Sequence, residues 1–170
     1  MSDATKRLIR CGLIHIAVLL LLFVLQDMVF PLLRIFRAAP LILPLAVVGV
    51  GLFEGPTWGG MFGLAAGVLC DAAFSNSTVM FTILLTALGM GVGLLSNYLL
   101  SRGFPSYLLC SVAALIAIAF FQMFALLVFM GESPLMLLRV SIVQSLYSLV
   151  FALPLYYLTR ALGRRAALRG

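Results

Sequence analysis

A chain of 170 residues that is 64% hydrophobic and only 9% charged cannot cover a water-facing surface, because soluble domains carry about 25% charged residues. Its net charge of +6 sits at the ends of apolar runs, an arrangement that argues for membrane topology and against a nucleic-acid partner. The mean hydropathy of +1.23 and several runs long enough for a hydrocarbon core of about 30 Å give an all-α integral membrane protein, with nothing left over for a soluble domain.

Residues 8–30 form the first apolar segment, opened by Lys6, Arg7 and Arg10 and closed by Pro31. It mimics a signal peptide, but the run is long and no small-residue cleavage site follows directly, so it reads as an uncleaved helix. A short loop carries Arg34 and Arg37. Residues 40–53 form the second segment, whose 14 residues would rise only about 21 Å as a helix. It is expected to be short and recessed, or to borrow loop residues. Glu54-Gly55-Pro56 makes a tight turn. The third segment covers 58–74, the fourth 79–100, the fifth 105–130 and the sixth 135–158. Residues 159–170 read as a basic cytoplasmic tail.

Six crossings make one transmembrane bundle, residues 1–170, with both termini on one side. Placing that side in the cytoplasm puts Lys6, Arg7, Arg10, Arg102, Arg160, Arg164, Arg165 and Arg169 inside, against Arg34, Arg37 and Arg139 outside or near it. Losing the second segment as a crossing would reverse that distribution, so the charges support it.

Gly59, Gly63, Gly67 and Asp71 recur every four residues and form a slanted stripe on the third helix. Gly89 and Gly93 repeat the step on the fourth. Small residues at this spacing let helix backbones approach closely, either within the bundle or around a partner's transmembrane helix. Asp71 and Asp27 lie near the outer ends of their segments. They reach headgroups or water, or else face the bundle and pair with Arg34, Arg37 or Arg139. Gln122 and Gln144 suit interhelical hydrogen bonds. His15 stands alone as a poor metal site, Ser96-Asn97 suits backbone or headgroup bonding, and Cys11, Cys70 and Cys110 read as apolar packing residues. The sequence has no nucleophile with a base, no phosphate-binding loop and no metal cluster. A non-enzyme without cofactor is expected.

The stretch A-P-L-I-L-P-L (39–45) followed by E-G-P-T-W-G-G-M-F-G-L-A-A-G-V-L-C-D (54–71) resembles the rod shape-determining MreD family. Pro40, Gly59, Gly63, Gly67 and Asp71 match in place, whereas Leu41 stands where the family usually has an acidic residue. The resemblance implies a bacterial inner-membrane scaffold of the cell-elongation machinery, the elongasome. Such a scaffold binds an MreC-like single-pass partner and, through it, the transpeptidase and glycosyltransferase of lateral peptidoglycan synthesis. Six short helices also resemble the substrate-binding S-component of energy-coupling-factor vitamin transporters. That rival needs polar and aromatic groups converging on an outer pocket.

Overall fold

The computed structural model describes residues 3–29, 41–73, 80–98, 103–130, 144–146 and 148–167, and they are all-helical. The helices are α1 (Asp3–Val24), continued by a π-helical turn (Leu25–Val29), α2 (Ile42–Glu54), α3 (Pro56–Ala73), α4 (Met80–Tyr98), α5 (Phe104–Met130) and α6 (Ala152–Ala167). Two stretches, Met80–Tyr98 and Phe104–Gln122, are long and apolar enough to cross a membrane, while Gly12–Val24 and Ile42–Glu54 are shorter apolar helices.

The short second segment is the centre of the molecule. Its residues from Ile42 to Leu52 are all buried, with α3, α4, α5 and α6 packed around it. A helix that is apolar on every side can only be satisfied in such a position. At 13 residues it rises about 20 Å, the short helix its length implied.

Gly51 on α2, Gly59 on α3 and Gly89 on α4 meet where the three helices converge. A Cβ added to Gly59 would lie 2.5 Å from the Gly89 carbonyl oxygen and 2.6 Å from the Gly51 Cα. The rest of the stripe continues down the α3–α4 hairpin: Gly63 faces Leu85 and Thr86, Gly67 faces Thr82, and Gly93 faces Pro56. Numbers rising on one helix as they fall on the other make the pair antiparallel. The glycine stripe is therefore filled by α4, and the reading of it as a groove for a partner's helix is corrected. On the opposite side of α2, Gly49 admits Thr159 of α6.

Two boundaries also change. The sixth segment is interrupted at Phe151, and a fresh helix starts at Ala152. Pro154 explains the break, because its ring clashes with the carbonyl four residues back and it donates no hydrogen bond. That helix then runs to Ala167, so residues 159–167 are helical rather than a tail.

The outward faces are apolar, with Leu13, Ile16, Met61, Ile83, Ile116 and Phe120 all exposed. Replacing Gly63 with Leu should force α3 off α4 and lower the melting temperature in detergent by about 5 °C or more. Gly91→Leu is the control, since a Cβ there meets nothing within 4 Å and should shift melting little.

Candidate functional site

A helix buried along its length must find partners for its terminal backbone groups inside the protein. At the start of α2, the Leu41 N–H donates to Ser148 Oγ at 2.9 Å, and the N–H groups of Ile42 and Leu43 donate to Gln26 Oε1 at 2.9 and 3.0 Å. Pro44, next in line, has no N–H. Leu41 occupies the N-cap without a side-chain bond of its own, so Gln26 and Ser148 supply the acceptors from other segments. Gln26 sits in the π-helical turn, and a turn of that kind re-aims side chains that a regular helix would carry elsewhere.

The far end of α2 is closed in the same way. The Gly55 N–H reaches the Gly51 carbonyl at 3.1 Å, with Gly55 at φ 94°, a left-handed conformation that favours glycine. Ser96 Oγ of α4 donates to the Leu52 carbonyl at 2.7 Å. Midway along, the Tyr107 hydroxyl of α5 donates to the Leu45 carbonyl at 3.2 Å.

Asp71 does for α4 what Gln26 does for α2. Its carboxylate accepts from the Phe81 N–H at 3.2 Å, the Thr82 N–H at 2.9 Å and the Thr82 hydroxyl at 2.6 Å. The charge thus sits at a helix N-terminus, where orphan N–H groups and the helix dipole both favour an anion. Its cost in an apolar setting is offset at that point. These hydrogen bonds all go to the first turn of α4. Arg34, Arg37, Arg139 and Pro40 lie outside the described residues, as does the side chain of Asp27, which falls in the π-helical turn.

A second polar pair lies toward the other end of the bundle. His15 Nε2 on α1 is 2.9 Å from Glu54 Oε1 at the end of α2, with side chains only 8% and 4% exposed. The imidazole stacks on Trp58 at 5.1 Å and meets the edge of Phe62 at 6.0 Å. Beside it, a cavity of about 190 Å³ opens between α1 and α3, lined by Gly12, Ile16, Leu19, Met61 and Ala65 among others. Nothing local in the sequence marks the His15–Glu54 pair, because the two residues lie 39 positions apart. Gln26, Ser148 and Gly51 were missed for the same reason: nothing local marks them. Among the described residues no group of three His, Cys, Asp or Glu side chains could hold a metal ion.

Together these contacts define an all-helical bundle whose described interior polar groups bond mainly to helix ends and to one another. The chain matches no family model, no curated protein and no solved structure.

Asp71→Ala should remove the acceptor for three α4 donors and destabilise the protein by about 2 kcal/mol or more. Asp71→Asn keeps one acceptor oxygen and should cost less, both read by thermal unfolding in detergent. Glu54→Ala should cost about 3 kcal/mol by leaving its partner in an apolar pocket. The double replacement His15→Leu with Glu54→Leu should recover part of that loss in the same measurement.

Proposed function

We propose that the chain is a multi-pass scaffold of the bacterial inner membrane, serving cell shape and lateral peptidoglycan synthesis as the MreD family it resembles does. It works without catalysis and binds an MreC-like single-pass partner through helix contacts. Six crossings with both termini cytoplasmic accord with the basic residues, and a lipid bilayer surrounds the bundle.

One observation carries this reading: polarity is turned inward and apolar surface outward. Gln26, Ser96, Tyr107 and Ser148 each bond the backbone of α2, and Asp71 bonds the start of α4. The faces left exposed present Leu, Ile, Met and Phe. Apolar patches of that extent mark a lipid or protein interface. The residues matching the family in the third segment are the ones that lock α3 to α4, so the matched motif supports a rigid platform. A vitamin-binding subunit would need Asp71 among converging polar groups, whereas its carboxylate accepts from Phe81 and Thr82.

Co-expression with an MreC-like single-pass protein from the same genome tests the proposal. A tagged chain should capture that partner from detergent-solubilised membranes in stoichiometric amount. Absence of capture, combined with co-purification of paired ATPase subunits, would favour the transporter reading instead. Flanking cytoskeletal and transpeptidase genes would agree with the scaffold.

A further inference from the structure

The outward stripe of α6 changes character within three turns. Ala152, Leu155, Thr159 and Leu162 set the buried side. Leu153 and Tyr157 are exposed on the other side, and Arg160 follows at its edge, half-buried; the sequence has a further arginine, Arg164, one helical turn on. Read along the axis, this is hydrocarbon, then an amphipathic ring, then cationic positions. That is the order of layers through a membrane interface.

Arg160 is held in place. Its guanidinium carbon lies 5.7 Å from the centroid of the Tyr156 ring. Tyr156 in turn is fixed among Phe53, Phe104 and Tyr107, with ring centroids 5.1 to 5.6 Å away. Those rings bring the end of α2, the start of α5 and the middle of α6 to one end of the bundle. The described carboxylates are bonded elsewhere, Glu54 to His15 and Asp71 to α4. Arg160 has no carboxylate within ion-pair distance among the described residues. A planar guanidinium already oriented by a ring, with a second arginine one turn away, suits a bidentate phosphate acceptor.

We propose that this stripe binds the phosphate headgroup of an anionic phospholipid. Arg160 holds the phosphate, Tyr157 sits at the glycerol level, and Tyr156 is a positioning residue for Arg160. Charge complementarity selects the lipid: the protein carries +6 overall, and basic clusters beside membrane helices attract anionic headgroups. The proposal rests on the membrane reading, which fractionation of the unaltered protein tests separately. Recovery in the soluble fraction would overturn that reading before any lipid is added.

The experiment uses the full chain, delipidated in nonionic detergent, with thermal unfolding followed as lipid is titrated in. Phosphatidylglycerol should raise the melting temperature and phosphatidylcholine should not. Arg160→Gln with Arg164→Gln should weaken the phosphatidylglycerol effect roughly tenfold or more in midpoint concentration. Arg160→Gln alone carries the test if the double variant does not fold. Tyr156→Phe should keep the response, and Arg160→Lys should weaken it. Three results would overturn the proposal: an unchanged midpoint in the arginine variants, equal stabilisation by phosphatidylcholine or inorganic phosphate, or an equal loss from Lys6→Gln with Arg7→Gln.

Discussion

A helix with no wet face has no water to bond its ends, and that constraint organises this molecule. α2 is buried from Ile42 to Leu52, so its described end groups find partners among surrounding side chains or the turn that follows. An unmade hydrogen bond in an apolar interior costs several times what a made one contributes. Gln26, Ser148, Ser96 and Tyr107 therefore tie α1, the segment before α6, α4 and α5 to one central rod. The polar bonds fix where the helices sit along the rod, because each bonds backbone groups at a particular point on it.

Close approach is the second half of the design. Small residues let helix backbones approach closely, so that packing adds to what the hydrogen bonds hold. Glycines at 51, 59 and 89 allow three backbones to converge, and Gly49 allows a fourth helix to seat Thr159. Asp71 then closes the α3–α4 hairpin from its far end. A stripe of small residues and a carboxylate that look unrelated along the chain are two fasteners of one hairpin. The His15–Glu54 pair does the same for α1 near the opposite end of α2.

Much of this was legible beforehand. The helical class, the starts of α3, α4 and α5 within about two residues, and the Gly59–Gly67 spacing all follow from apolar runs and Gly and Pro punctuation. The short length of the second segment was also legible. What could not be read was which helix the stripe faces and what Asp71 bonds. A four-residue period places side chains on one face of one helix, and says nothing about the neighbour on that face. Pro154 is a local signal for the break before Ala152, masked by an apolar run that looks continuous on either side.

By itself, then, the sequence determined periodicity: which stretches are helical, which faces are small, and where charge is concentrated. These follow from backbone geometry and from the cost of placing polar groups in apolar surroundings, both local to a segment. Only the tertiary structure decided that the short second segment is the core, that Gln26 and Ser148 cap it, and that His15 has Glu54 for a partner. Those contacts join residues up to 107 positions apart, and their energies exist only once the helices have closed around α2.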